Sequence, residues 1–71
     1  MQNNIPQGAR CLKPKSAAEK CGRRDSWLWA KLKTDPTFPR PIYLSHKAPV
    51  FLEHELDAWL ASQAEQSRKT V

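Results

Sequence analysis

The residues of this chain best equipped for chemistry crowd into one short stretch behind Gly22: Arg23, Arg24, Asp25, Ser26, Trp27, Lys31 and Lys33. Cations at that density do one kind of chemistry well, the holding of a polyanion. An arginine offers a rigid fork of N–H donors that matches phosphate oxygens, and it also matches the O6/N7 edge of guanine. Ser26 can donate to a phosphate or a base edge. Trp27 either stacks on a sugar or a thymine methyl, or folds back onto the core. Arg40, inside Phe38-Pro39-Arg40-Pro41, and the group Ser45, His46 and Lys47 add further donors downstream. For Arg40 the competing reading is an ion pair with an acid of the last helix. For Lys47 it is an ordinary solvated turn lysine.

The charge distribution carries the same message. Residues 10–47 hold ten Lys or Arg and three acids, a balance of +7, whereas residues 48–71 hold two bases and four acids, a balance of −2. A cationic part beside a mildly acidic one suits a polyanionic partner, chiefly nucleic acid. Other chemistries find little support. Cys11, Cys21, His46 and His54 match no zinc spacing, and a Cys/His catalytic pair would need a pocket that 71 residues cannot enclose alongside a core. With glycine only at positions 8 and 22, no phosphate-cradling loop exists. Two cysteines are too few for a disulfide scaffold, and no run approaches the ~18 apolar residues of a membrane span. The reading is a cytoplasmic chain with free thiols and neither cofactor, metal, small-molecule ligand nor enzymatic activity.

These side chains need elements to position them. Pro14 suits a helix start, where its missing N–H costs little. A first helix over 15–20 turns Ala17 and Cys21 inward, and Gly22 supplies the tight turn. A second helix runs from about Arg24 to Lys33. Leu28, Trp29 and Leu32 form its inward stripe, and Arg24, Trp27 and Lys31 its outer stripe, flanked by Arg23 and Ala30. Pro36 ends it, and the prolines at 39 and 41 keep the exit extended. Ile42-Tyr43-Leu44 and Pro49-Val50-Phe51 form two strands around the turn Ser45-His46-Lys47-Ala48. Pro49 must lie on an edge or at a strand start. Leu52, Leu56, Trp59 and Leu60, at i, i+4, i+7 and i+8, mark an amphipathic last helix from about Glu53. Its acids suit the N-terminal end of the helix dipole.

The predicted class is mainly α with a small β wing: helix-turn-helix, two-stranded antiparallel wing, C-terminal helix. Residues 10–62 form the domain. Residues 1–9 read as a flexible tail, and 63–71 as a helix end and flexible tail.

The run Gly22-Arg23-Arg24-Asp25-Ser26-Trp27-Leu28-Trp29, then Phe38-Pro39-Arg40-Pro41, a wing, and Glu55-Leu56-Asp57-Ala58-Trp59-Leu60 resembles the AlpA family of prophage regulators. These are small winged-helix DNA-binding proteins related to the MerR-type domain and to phage excisionases. The resemblance spans about residues 11–61. It implies that the second helix enters the major groove with Arg24, Asp25, Ser26 and Trp27 in the recognition segment, and that the wing touches the backbone through Lys47. It also implies that Phe51 is a core aromatic. The chain departs from the pattern at Ala30, where a base is common, in a Thr34–Thr37 loop one residue longer, and at Pro49 in the second wing strand.

The implied function is sequence-specific binding of double-stranded DNA by a regulator of prophage or genomic-island type. The implied alternative is an excisionase, or recombination directionality factor, that bends DNA and recruits an integrase. A regulator would instead act with or against RNA polymerase. A third reading is a protein-binding winged helix that uses an exposed Trp27. A monomer in solution that assembles in several copies on DNA fits one small domain.

Overall fold

The computed structural model describes residues 9–69. The tail expected over 1–9 lies outside the described residues except for Ala9. In chain order the elements are β1 (Cys11–Leu12), α1 (Pro14–Lys20), α2 (Asp25–Thr34), β2 (Ile42–Tyr43), β3 (Pro49–Leu52) and α3 (Glu53–Lys69). This is the expected winged helix-turn-helix, with two additions. A third strand, β1, joins the wing, and the helix end expected past residue 62 continues to Lys69.

The sheet order is β1-β3-β2, antiparallel throughout. Cys11 and Leu12 pair with Leu52 and Phe51, while Ile42 and Tyr43 pair with Val50 and Pro49. β3 thus divides its length between two partners, and the Glu53 amide extends the pairing by donating to the Arg10 carbonyl at 2.8 Å. Pro49 opens β3. At the first residue of a strand its missing N–H removes least from the ladder, so it leaves the wing intact.

The core is Leu12, Ala17, Ala18, Leu28, Phe38, Phe51, Leu52 and Leu56, each less than a tenth exposed. Ala17 and Ala18 are wholly buried; their small side chains let α1 approach its neighbours closely. The aromatic residues do most of the filling. Phe38 stands edge-on to Trp59 at 4.9 Å and to Trp27 at 5.8 Å, and it meets Phe51 at 6.3 Å. Such edge-to-face pairs add to area burial in a chain with little area to spare.

Ion pairs tie the start of α3 to the end of α1 and to the residue before β1. Lys20 reaches Asp57 at 2.8 Å and Glu53 at 3.2 Å, and Arg10 approaches Glu53 at 3.9 Å. Glu53 and Asp57 therefore do more than complement the helix dipole. The two carboxylates, Asp57 foremost, raise the pKa of the Lys20 ammonium above its ordinary value.

Candidate nucleic-acid interface

α1 stops in a Schellman motif. The Gly22 amide donates to Glu19 at 2.8 Å and the Arg23 amide to Ala18 at 2.9 Å, which satisfies carbonyls that the helix end would otherwise leave open. Gly22 adopts φ +73°, a conformation that costs side-chain-bearing residues. Arg24 then stands at the N-cap of α2 in extended conformation and makes no side-chain cap bond. The first amides of α2 are left without a capping side chain, and Asp25 in the first turn complements the dipole.

Arg23 and Arg24 are both exposed. Together they line two shallow clefts, one of about 310 Å³ with Gly22, Ser26 and Trp27, the other of about 220 Å³ with Lys15, Glu19 and Asp25. Arg23 also lies over the Trp27 ring at 5.8 Å, so its aliphatic stem and planar head are partly organised.

The orientation of α2 departs from the expected one. Leu28 is fully buried and Leu32 packs against the core as anticipated, but the two tryptophans trade sides. Trp27 is half-buried and packs edge-on to Phe38 and, at 6.3 Å, to Trp59. Trp29, assigned to the inward stripe, is 36% exposed. Lys31 follows Trp27. Its ammonium lies 5.7 Å from the Trp59 ring and 3.7 Å from the Asp35 carboxylate. The face of α2 turned to solvent is therefore Ser26, Trp29, Ala30 and Lys33; of the expected outer stripe Arg24 stays exposed, while Trp27 and Lys31 are drawn toward the core. With Trp27 turned onto the core, the side chain on which a protein-binding reading rested is largely covered.

At about 100° per residue, Trp29 lies about 80° from the midpoint of Leu28 and Leu32, and Trp27 about 120°. The wheel by itself thus favours Trp29 inside. The bulk of Phe38 and Trp59 stands on the Trp27 side, and that decides the rotation.

Arg40 has an intramolecular task. Its guanidinium donates to the Leu32 carbonyl at 2.6 Å and to the Asp35 carbonyl at 3.1 Å. It caps the C-terminal end of α2, where cationic donors satisfy open carbonyls and oppose the dipole. The ion pair with an acid of the last helix does not form. Beside it, Asp35 accepts from the Thr37 hydroxyl at 2.6 Å and the Thr37 amide at 2.9 Å. These two bonds, the hydroxyl first, hold the Asp35 pKa below the usual aspartate range. Trp59 Nε1 donates to the same Thr37 hydroxyl at 3.3 Å. The Thr34–Thr37 loop is thus a tied corner that presents Phe38 to the core.

Ser45, His46 and Lys47 form a second exposed group at the turn between β2 and β3. The turn is closed by the Ala48 amide donating to Ser45 and the Leu44 amide to Ala48, both at 3.0 Å. Tyr43 and Leu44 beside it are 56% and 67% exposed. An open groove of about 620 Å³ between the 37–40 segment and α3 lies apart from both groups. Among the described residues no cluster of three or more His, Cys, Asp or Glu could hold a metal, and no helix is long and apolar enough to cross a membrane.

Residues 10–64 match the family model described as prophage CP4-57 regulatory protein, AlpA. The chain belongs to the AlpA family of phage regulatory proteins. No curated protein and no solved structure matches it. The AlpA match runs from β1 into the C-terminal half of α3. It therefore encloses the α2 surface and the wing turn together.

Proposed function

We propose that this AlpA-family chain is a sequence-specific regulator that binds double-stranded DNA, with α2 in the major groove and the wing turn on the phosphate backbone. The observation that carries the reading is the uncapped start of α2 with Arg23 and Arg24 exposed beside it, on a helix whose outer face is free. Open amides, a helix dipole and two guanidinium groups at one point favour a phosphate. A single helix is the element that the major groove admits. Lys33 extends the cationic contact along the same face, and Lys47 with Ser45 and His46 adds donors at the wing. Phosphate contacts from these groups set the register, and the outer face of α2 reads the bases.

Arg40 and Lys31 support this surface from behind rather than touching DNA. Regulation of transcription and excision would use the same surface. An excision factor would also bend the duplex and engage an integrase, whereas a transcription regulator would act on RNA polymerase.

The test is retention of duplexes from a randomised pool, followed by the salt dependence of binding to a recovered duplex. Neutralising Z phosphates gives a slope of about −0.9Z, so a footprint of this size predicts roughly −4 to −6. Joint replacement of Arg23 and Arg24 by alanine should flatten the slope by about 2 and remove retention at moderate salt. A steep slope with no preferred duplex would replace the sequence-specific reading with an architectural one. Absence of retention at low salt would overturn DNA binding.

A further inference from the structure

Trp29 is the one large aromatic of α2 that the fold leaves at the surface. It shares the solvent face with Ser26, Ala30 and Lys33, the i, i+3, i+4 and i+7 row of the helix, and all four are exposed. Its neighbour on that row, Ala30, presents only a methyl group. Trp29 and Ala30 therefore make a small apolar patch between polar ends, with Ser26 before it and the Lys33 ammonium after it.

The patch is held in place. The Trp29 ring meets Phe51 at 6.3 Å with an interplanar angle of 60°, and Phe51 is fully buried. An exposed ring braced from beneath gives up little conformational freedom on binding. A core this small gains from every aromatic residue it can bury, so the position of Trp29 calls for a ligand that benefits from it.

Charge complementarity selects the ligand. The start of the helix carries Arg23 and Arg24, the far end carries Lys33, and a polyanion is the partner that satisfies both. Within the major groove the one apolar group is the 5-methyl of thymine, and alkyl or aromatic side chains contact it directly. We infer that Trp29, with Ala30, is a specificity-determining contact that selects thymine by its methyl group. The inference rests on the DNA-binding reading above and adds to it which side chain discriminates and what it recognises. It also accounts for Ala30 in place of a base. A long cation there would stand between the ring and the groove floor.

The experiment uses the duplex recovered from the randomised pool and a set of copies in which one thymine at a time is replaced by deoxyuridine. Each replacement removes one methyl and leaves the base pair and backbone unchanged. At one or two positions the wild-type protein should lose about 4-fold in affinity per methyl. Trp29→Ala should bind the thymine and deoxyuridine duplexes alike at those positions, with its salt slope unchanged. Trp29→Phe should keep most of the methyl sensitivity. A wild-type protein that retains the duplex yet tolerates every deoxyuridine overturns the inference alone. So does a Trp29→Ala variant that keeps the full methyl sensitivity. Retention of no duplex at low salt overturns the DNA-binding reading and the inference with it. Because the deoxyuridine series alters only the DNA, it can overturn the inference even where Trp29→Ala does not fold; the bulkier Trp29→Gln then tests whether the ring is the contact, and it should bind the thymine and deoxyuridine duplexes alike.

Discussion

Trp27 and Trp29 stand two residues apart on one helix and have opposite environments. Trp27 is gripped by Phe38, Trp59 and the arginine above it. Trp29 meets Phe51 at 6.3 Å and keeps 36% of its surface exposed. The face around Trp27 is a structural seam, where even the lysine is engaged, with Lys31 between Trp59 and Asp35. The face around Trp29 keeps its serine, alanine and lysine free of such ties. Residue type therefore does not separate core from solvent face in this helix. What separates them is which side Phe38 and Trp59 occupy.

The largest expected effect breaks the seam. Trp27→Ala should cost about 3 kcal/mol of stability, at the low end for a truncated tryptophan because the ring is only half-buried. Urea or thermal unfolding would read this, and in a domain this small much of the chain should unfold. Trp29→Ala should cost less, about 1–2 kcal/mol, and leave the fold standing. Equal losses at the two positions would erase the distinction between the faces.

Next comes Arg40→Ala, which opens the Leu32 carbonyl at the end of α2 and leaves the Asp35 carbonyl with the Phe38 amide alone. A loss of about 1 kcal/mol is expected, for charge-assisted bonds at an exposed site. The slope of DNA affinity with salt should stay unchanged, since the guanidinium is already committed. A slope flattened by about 1 would instead place Arg40 on a phosphate. Gly22→Ala should cost about 1 kcal/mol through the left-handed φ alone, because a Cβ there meets no atom within 4 Å. The melting temperature would report it, and a neutral result would mean that the turn can relax.

The smallest effect is a pH dependence at both extremes. The Asp35 pKa is lowered by Thr37, so its contribution is present above the ordinary aspartate pKa of about 3.9. That contribution is lost as pH falls through the lower folded-state value. The Lys20 pKa is raised by Asp57 and Glu53, so its contribution is present below about 10.4 and lost as pH rises through the higher folded-state value. Thermal melts across pH should show Asp35→Asn flattening the acid limb alone and Lys20→Met flattening the alkaline limb alone. Both groups lie at the rim of the fold, where solvent screens their pairing, so each change should be small.

Much of this arrangement is written in local sequence. Gly22 after a short helix, proline at 14, 36, 39 and 41, and the Leu56, Trp59, Leu60 spacing each act within a few residues, and each element appears where those rules put it. β1 could not be read that way. Two residues have no periodicity, and their partners Phe51 and Leu52 lie far along the chain. The caps escape local reading for a related reason. An arginine in Phe-Pro-Arg-Pro looks equally suited to a phosphate, an acid or a carbonyl until the end of α2 is seen beside it.

By itself, then, the sequence determined the class of fold, the cationic character of residues 10–47 and the placement of Arg23, Arg24 and Ser26 at the start of the second helix. Turn chemistry, proline geometry and charge are properties of short segments, and they need no distant partner. The tertiary structure alone decided the rotation of α2, and with it that Trp27 and Lys31 turn inward while Trp29 turns out. Helical periodicity alone sets Trp29 nearer than Trp27 to the stripe of Leu28 and Leu32. That preference is overturned by the volume of Phe38 and Trp59, brought against the other flank by a loop and a helix that the local pattern of α2 does not contain.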